Sequence, residues 1–108
     1  MMNFKLDHFL EEAPAGWHEL IRDTHNRILK VDPEYQIFQI KEKFGGLRYY
    51  YDASRSHAIP EIDKIIKTAE VVATVVCQNC GELGASLTVN NGWYATLCEK
   101  HIAEWSKK

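Results

Sequence analysis

Three cysteines and one histidine near the C-terminus are spaced as metal ligands. Cys77 and Cys80 form one pair and Cys98 and His101 form another, which together spell C-x2-C-x17-C-x2-H. Zinc takes four thiolate or imidazole ligands in a tetrahedron, and two short pairs at this separation let two local elements supply two ligands each. The spacing therefore predicts a structural site for Zn2+ that uses every cysteine of the chain.

Two alternatives to a metal site are a chance cluster of thiols and a disulfide that leaves one cysteine unpaired. An odd number of cysteines argues against a secreted disulfide scaffold, and no cationic and apolar signal segment opens the sequence. We therefore expect a reducing compartment and a cytoplasmic protein. The longest strongly apolar run, residues 71–77, is too short to span a membrane, so no membrane partner is expected.

The segment between the two ligand pairs predicts a β-hairpin followed by a helix. Residues 85–89 and 93–97 alternate in character around an Asn-Asn-Gly turn. Residues 98–105 have helical composition, which puts the second ligand pair in the first turn of a C-terminal helix. Gly81 follows the first pair, where a residue without a Cβ lets backbone amides turn toward the sulfurs. Knuckle, hairpin and helix in this order predict a treble-clef-like zinc finger.

The complete set of ligands argues against catalysis at the metal. Four protein ligands close the coordination sphere, which is typical of a structural zinc. His-metal nucleases carry a catalytic histidine on the hairpin, and residues 85–97 contain none. A zinc deaminase requires an H-x-E motif as the partner of its cysteine pair, which this chain lacks. We predict no catalytic residue, and a nuclease is the least favoured hypothesis.

Two amphipathic helices are predicted before the finger. Residues 17–29 carry apolar side chains at helical spacing, and Asp32-Pro33 ends this helix because proline disfavours helical geometry in the preceding residue. Pro60 opens a second helix over 60–76, which is expected to run directly into the first metal ligand. Residues 1–12 are expected to form a short helix or arm. His18 and His25 lie about 10 Å apart by helix rise, too far to share a metal, and are predicted at the surface or boundary.

A second hairpin is predicted between these helices. Residues 35–44 and 47–51 alternate around Gly45-Gly46, a register that sets Phe44 opposite Leu47. Glu42 falls on the core side opposite Tyr49, where its carboxylate needs a hydrogen-bond partner. In this register the core face is expected to consist of Phe38, Ile40, Phe44, Leu47, Tyr49 and Tyr51.

The outward face of that hairpin is basic. In the predicted register Lys43 lies opposite Arg48, and like charges across strands cost a sheet stability. A bound anion or an acidic partner would explain such a pair, and the alternative is a solvated face whose cations discourage edge pairing. Together with two exposed aromatic residues of the finger hairpin, this face supplies the candidate partner-binding residues Lys41, Lys43, Arg48, Tyr50, Trp93 and Tyr94.

Length and composition indicate one small domain. The chain has 108 residues, 45% of them apolar, and a formal charge of −2. The predicted fold class is α+β, with amphipathic helices packed on a β-hairpin and a C-terminal treble-clef-like zinc finger. Residues 17–76 would form a helix-hairpin-helix core and residues 77–108 the zinc-finger part of a single zinc-stabilised domain 1–108.

The string Lys-Glu-Lys-Phe-Gly-Gly-Leu-Arg-Tyr-Tyr-Tyr at 41–51, followed by the two ligand pairs, resembles a family of small phage and bacterial proteins. Gly92-Trp93 and Thr96-Leu97-Cys98 add to the resemblance, which spans roughly residues 17–101. A phage setting implies a protein that binds and modulates a host factor.

Two hypotheses of function follow from these features. The first is a zinc-stabilised protein-interaction module, since near-neutral charge and exposed aromatic residues suit a protein partner. The second is a nucleic-acid-binding zinc-finger protein that uses the basic face of the 35–52 hairpin. The net charge gives no global electrostatic footprint for nucleic acid, so the protein partner is preferred. No feature of the sequence indicates an oligomeric state.

Overall fold

The computed structural model of the chain describes the backbone of residues 3–105 and side chains over 6–105. The fold is α+β, as predicted, with a Cys3His group near the C-terminus that is consistent with a zinc finger. Its elements are α1 (Asn3–Glu11), α2 (His18–Val31), β1 (Gln36–Lys43), β2 (Gly46–Asp52), α3 (Ile59–Ala73), β3 (Ser86–Asn90), β4 (Trp93–Leu97) and α4 (Glu99–Trp105). Among residues 3–105, no helix has both the length and the apolar character needed to cross a membrane.

The larger of two apolar cores lies between α2, α3 and the first hairpin. The apolar stripe of α2 buries Ile21 and Ile28 completely, and α3 contributes Ile62 and Ile66. The α2 helix ends at Val31, directly before Asp32-Pro33, as the sequence predicted. Leu6 of α1 also belongs to this core, so the helical core extends to the N-terminal side of residue 17.

Helix α3 ends at Ala73, three residues before the predicted end. Thr74, Val75 and Val76 donate their N–H groups three residues back, which tightens the last turn. Val75 then accepts the N–H of Ala85 through its carbonyl, and Val76 pairs with Leu83 in an isolated antiparallel bridge. The extended backbone that β-branched residues favour therefore replaces the predicted direct junction between helix and metal ligand.

The turn of the first hairpin lies one residue earlier than predicted. Lys43 pairs with Gly46, so the two loop residues are Phe44 and Gly45, whose φ angles are 53° and 82°. Positive φ at both positions is the type I′ geometry that suits the twist of a hairpin. Phe44 is consequently 66% exposed, and its predicted place in the core is wrong.

A β-bulge at Phe38 shifts the pairing of β1 with β2 by one residue. Ile37 pairs with Tyr51 and Gln39 pairs with Tyr50, so Phe38 is the extra residue, and its side chain is 69% exposed. The prediction of Phe38 in the core is therefore also wrong, because a bulge leaves one residue unpaired and re-aims its side chain.

The remaining members of the predicted core face keep their side of the sheet. Ile40, Leu47 and Tyr49 are buried, and Tyr51 packs half-buried against the same core. Glu42 lies opposite Leu47 rather than Tyr49, and its carboxylate accepts the N–H of Gly45 at 2.6 Å. The hydrogen-bond partner that Glu42 needed is thus the turn of its own hairpin.

Two ionisable side chains are buried, a result that the sequence did not predict. His25 is buried, contrary to the expectation of a surface or boundary residue, because its Nδ1 meets the Tyr35 hydroxyl at 2.6 Å. The Tyr35 hydroxyl in turn meets that of Tyr49 at 2.6 Å, which extends the network into the core. Asp32 is also buried, and its carboxylate accepts hydrogen bonds from the hydroxyl and N–H of Ser54. His18 is half-buried, which matches the boundary position predicted for it.

Long-range hydrogen bonds tie the larger core to the finger and to the segment that leads into it. The indole N–H of Trp17 donates to the carbonyl of Val76 at 2.9 Å. The backbone N–H of Gly16 donates to the carbonyl of Gln78 at 2.7 Å. At the other end, the Thr96 hydroxyl donates to the carbonyl of Gly45 at 2.7 Å. The finger has its own small core of Cys77, Ala85, Ala95 and Leu97, against which α4 packs.

Candidate metal centre

The four predicted ligands converge on one point. Their ligand atoms all lie within 4.8 Å of one another. The Nδ1 atom of His101 is 3.5 Å from the sulfur of Cys77 and 3.2 Å from that of Cys98, and the sulfurs of Cys80 and Cys98 are 3.7 Å apart. The group Cys77, Cys80, Cys98 and His101 is therefore positioned to hold a metal ion.

The first ligand pair sits on a tight backbone turn. The N–H of Gly81 donates to the carbonyl of Cys77, and the N–H of Cys77 donates to the carbonyl of Glu82, each at 2.9 Å. The N–H of Asn79 points to the Cys77 sulfur at 3.4 Å. Gly81 has a φ of 83°, so the predicted need for glycine after the pair is confirmed.

The second ligand pair is placed by the start of α4. The carbonyl of Cys98 accepts the N–H of Ile102 at 2.9 Å, so Cys98 directly precedes the helix and His101 lies in its first turn. His101 keeps only 12% of its side chain exposed, and its Nε2 lies 3.8 Å from a carboxylate oxygen of Glu104. This separation is longer than a hydrogen bond, so His101 is placed by its position in the first turn of α4.

The thiols of the first pair differ in acidity. Burial acts to raise the pKa of Cys77, but the N–H groups of Cys80, Cys98 and Asn79 lower it to about 6. The N–H of Glu82 acts to lower the pKa of Cys80, but burial and the Cys77 and Cys98 thiols raise it overall. Cys77 is therefore the readier thiolate near neutral pH, and a cation shared by both sulfurs would favour ionisation of Cys80 as well.

The four residues of the predicted basic face share one side of the first hairpin, with a changed pairing. Lys41, not Lys43, lies directly opposite Arg48, and Tyr50 lies opposite Gln39. Lys43 pairs with Gly46, and its ammonium group is 5.7 Å from the ring centre of Phe44. In the described part of the chain, Lys41, Lys43 and Arg48 form no ion pair.

The two predicted aromatic residues of the finger are both exposed, but they lie on opposite faces of β4. Trp93 is 74% exposed and Tyr94 is 42% exposed, and neighbouring residues of a strand point to opposite sides. The ring of Tyr94 meets that of Phe44 edge-on at 5.7 Å. Tyr94 therefore belongs to the surface at the hairpin tip, whereas Trp93 does not.

An exposed apolar patch at that tip was not foreseen. It consists of Phe44, Leu87, Val89 and Tyr94, which are between 42% and 66% exposed. Val89 pairs with Tyr94 across the finger hairpin, and the Leu87 side chain packs against the turn at Gly45. We call these four residues the tip patch. Leu87 and Val89 alternate with polar neighbours, which indicates one apolar face. The register predicted for the first hairpin placed Phe44 in the core, so Phe44 was not recognised as part of this face.

Comparison of the chain with protein-family models, with curated proteins and with solved structures gave no match.

Proposed function

We propose that this protein binds one structural zinc ion and acts as a protein-interaction module whose contact surface is the tip patch. The partner would be another protein, and a phage setting would make it a host factor. The two parts of this proposal, the metal and the partner, rest on different observations and are tested separately.

Zinc is favoured by the type and spacing of the ligand atoms. A tetrahedron with Zn–S bonds of about 2.3 Å and Zn–N bonds of about 2.0 Å has S···S edges near 3.8 Å and S···N edges near 3.5 Å. Three of the six distances between the ligand atoms are 3.7 Å for two sulfurs and 3.2 and 3.5 Å for sulfur and nitrogen, and none of the six exceeds 4.8 Å. Three thiolates and one imidazole are also a soft donor set that suits zinc better than a hard cation.

A structural role for the metal follows from the closed ligand set. Four protein ligands leave no coordination position for water or substrate, so the ion would stabilise the fold rather than activate a nucleophile. The turn at 77–81, the β3–β4 hairpin and α4 follow in the order of a treble-clef finger. This order supports the comparison with treble-clef zinc proteins.

Elemental analysis tests the metal. Protein purified without chelator should contain about one zinc per chain, since the binding free energy of a structural zinc is on the order of 10 kcal/mol. Cys80→Ser should lose the metal and the structure of the finger, whereas Ser86→Ala, which removes only an exposed hydroxyl, should retain both. A zinc content near zero, or a disulfide within the ligand group, would contradict the assignment.

The tip patch carries the proposal of a protein partner. The rings of Phe44 and Tyr94 are in contact, Val89 is the cross-strand partner of Tyr94, and Leu87 lies against Gly45, next to Phe44. All four side chains nevertheless remain largely exposed. Contiguous exposed apolar surface on a small protein marks an interaction site, whereas isolated exposed apolar residues do not. Lys43 beside Phe44 adds a cation at the rim, which is the usual arrangement of an apolar centre with polar surroundings.

A pull-down with matched variants tests the partner. The unchanged chain should capture a partner protein from a lysate of the source organism or its host. A Phe44→Ser, Tyr94→Ser double variant should no longer capture that protein. A Val71→Ser, Val75→Ser variant removes two other exposed apolar side chains and should still capture the partner protein. Zinc content and melting temperature should be the same in both. Equal capture by both variants would show that the tip patch is not the contact surface.

Nucleic acid is the second candidate, favoured by the basic face alone. Lys41 and Arg48 oppose each other without any ion pair in the described residues, and Tyr50 beside them is 43% exposed. Cations that meet phosphate and a ring that stacks on a base would use this arrangement.

Salt dependence separates the two candidates. Binding of a single-stranded oligonucleotide to the basic face should weaken steeply with salt through counterion release, and a Lys41→Glu, Arg48→Glu variant should abolish it. This variant exchanges two opposed cations for two opposed carboxylates, so its cross-strand cost should change by about 1 kcal/mol or less. Oligonucleotide binding that is absent, or equal in this variant, would leave the face a solvated surface.

A further inference from the structure

A groove with a volume of about 680 Å3 lies between β2 and α3, apart from the residues of the tip patch. All four residues 49–52 of β2 line it, together with Asp63, Ile66 and Glu70 of α3 and with Phe38 of the bulge. This volume is within the range of ligand-binding clefts, which is about 300 to 1,000 Å3. None of the contacts described for the metal ligands or the tip patch accounts for it.

The groove reaches the edge of β2. Successive residues of a strand point to opposite faces, so a groove lined by residues 49–52 and by α3 includes that edge, and Phe38 of β1 extends the lining onto the outward face of the sheet. Within the described part of the chain, the sheet contains β1 and β2 alone, and β2 has no strand neighbour on its outer side. An open edge offers unpaired backbone N–H and C=O groups, which an extended peptide can pair with as an added strand.

The floor and walls of the groove differ in character. Tyr49 and Ile66 form an apolar floor, and both are buried from solvent. The walls carry the carboxylates of Asp52, Asp63 and Glu70 against the single ammonium group of Lys67, so the groove is acidic. An added strand would direct alternate side chains to the floor and to the walls.

Two features of the walls point to a cationic side chain. The Tyr51 hydroxyl donates to a carboxylate oxygen of Asp63 at 2.7 Å and holds that carboxylate in place. The rings of Phe38 and Tyr50 are 69% and 43% exposed at the groove, without a partner in the core. Carboxylates beside exposed aromatic rings suit a guanidinium or ammonium group, through charge and cation–π attraction.

We propose that this groove binds an extended segment of a partner protein, which pairs with β2 as a third strand and places an arginine or lysine side chain among the carboxylates. The segment is distinguished from the partner of the tip patch by its extended backbone and its basic character. The inference adds a second binding site and does not depend on the first.

The experiment uses the zinc-loaded full chain and synthetic peptide libraries as probes. One library contains acetylated, amidated seven-residue peptides in which β-branched residues alternate with Lys or Arg, and a matched library carries Glu or Asp instead. The tightest basic peptides should bind at least about tenfold better than the acidic ones, because opposite charges attract across the groove. Their amide shift changes in NMR spectra should fall on residues 49–52 and 63–70.

Variants of the protein test the acidic walls. An Asp52→Lys, Glu70→Lys variant keeps the hydrogen bond between Tyr51 and Asp63 and should lose at least about tenfold in affinity for the basic peptides. A Glu11→Lys, Glu34→Lys variant makes the same change in net charge at two exposed sites outside the groove and should lose less than about threefold. The Phe44→Ser, Tyr94→Ser variant of the tip patch should bind these peptides normally.

Variants of the peptide test strand addition on the unchanged protein, so the result does not depend on whether a mutant folds. N-methylation of the amides on one edge of the best peptide should abolish binding, and methylation of the other edge should have little effect, because an added strand pairs through one edge. Equal binding by the peptides methylated on one edge and by those methylated on the other would overturn strand addition.

Four further outcomes would overturn the proposal. They are the absence of binding from both libraries, a preference for acidic peptides, unchanged affinity in the groove variant, and a loss of peptide binding in the tip-patch variant alone. Self-association of the chain that the groove variant abolishes would instead assign the groove to a second copy of this protein. Each of these results leaves the pull-down test of the tip patch intact, so the two sites fail independently.

Discussion

Gly45 occupies a backbone position that favours glycine for two separate reasons. Its φ is 82°, and a Cβ at this position would overlap the side chain of Leu87. Gly92 takes the same place in the turn of the finger hairpin with a φ of 84°, but a Cβ there would meet no atom within 4 Å. Both glycines thus have a positive φ, which strains any residue with a Cβ. They differ in whether that Cβ would contact another part of the chain.

Alanine at these two glycines should therefore separate strain from crowding. Gly92→Ala should lower the unfolding free energy by about 1 kcal/mol, which is the usual cost of a Cβ at positive φ. Gly45→Ala should cost up to about 1 kcal/mol more, because the end of the exposed Leu87 side chain must turn away from the new Cβ. Urea unfolding measures both changes. A smaller loss for Gly45→Ala than for Gly92→Ala would contradict the contact with Leu87.

His25 is expected to resist protonation. Burial lowers its pKa below the ordinary value of 6.5, since the charged imidazolium loses solvation in the core. The unfolded chain therefore takes up this proton before the folded chain does. The unfolding free energy should fall as pH decreases from 6.5 toward 5, and a His25→Gln variant should lack this part of the decline. NMR titration of the imidazole reads the pKa directly, and a value at or above 6.5 would contradict the buried position.

Among the secondary-structure elements, the first hairpin shows most clearly what the sequence could and could not predict. Two glycines between alternating runs predicted the hairpin and both of its strands, because local pattern is sufficient for that. The turn position was wrong by one residue, because Gly45 rather than Gly46 meets Leu87 and Thr96 of the finger. That choice is made by a contact between distant parts of the chain, which no local pattern contains.

The convergence of the four predicted ligand residues was foreseen for the opposite reason. Each pair is held by a short local turn or by the first turn of a helix, so the spacing in the sequence is nearly the spacing in space. The groove between β2 and α3 had no such signal. It arises because β2 remains at the edge of a two-stranded sheet, and the sequence does not show which strand edges stay open.

The junction between α3 and the finger depends on the indole of Trp17. This side chain is completely buried, and its N–H donates to the carbonyl of Val76, directly before the first metal ligand. Trp17→Phe should cost roughly 2–4 kcal/mol, because it leaves that carbonyl unpaired and a small cavity beside it. Trp105→Phe removes a half-buried indole from the finger and should cost less. Thermal unfolding measures the difference, and similar losses would contradict a special role for Trp17.

The molecule as a whole is longer than a compact chain of its size. Its radius of gyration is 14.6 Å and its principal extents are 47, 25 and 22 Å, whereas about 13 Å is typical for this length. The buried apolar residues are divided between two cores, so each core has less buried surface to stabilise it than a single shared core would have. Neither is expected to be stable without the other or without a metal in the finger.

Loss of metal should consequently unfold both parts together. Acid releases a bound metal, because protons compete with it for thiolate and imidazole ligands, and a strong chelator removes the metal at neutral pH. Helical circular dichroism and tryptophan fluorescence should change in one coincident transition under both treatments, since hydrogen bonds from Gly16 to Gln78 and from Thr96 to Gly45 join the finger to the rest of the chain. A finger that melts while the helical signal persists would show that the larger core is sufficient alone.

The tip patch is shared between two parts of the chain. Phe44 belongs to the first hairpin and Tyr94 to the finger, and their rings meet because the hairpin tip rests on β3 and β4. A partner that covers both rings therefore binds the docked arrangement in preference to any state in which the finger has opened. Thermodynamic reciprocity then applies to the two affinities. If the metal raises the affinity for the partner by some factor, the partner raises the affinity for the metal by the same factor. The metal would thus set the affinity of a surface that it does not touch.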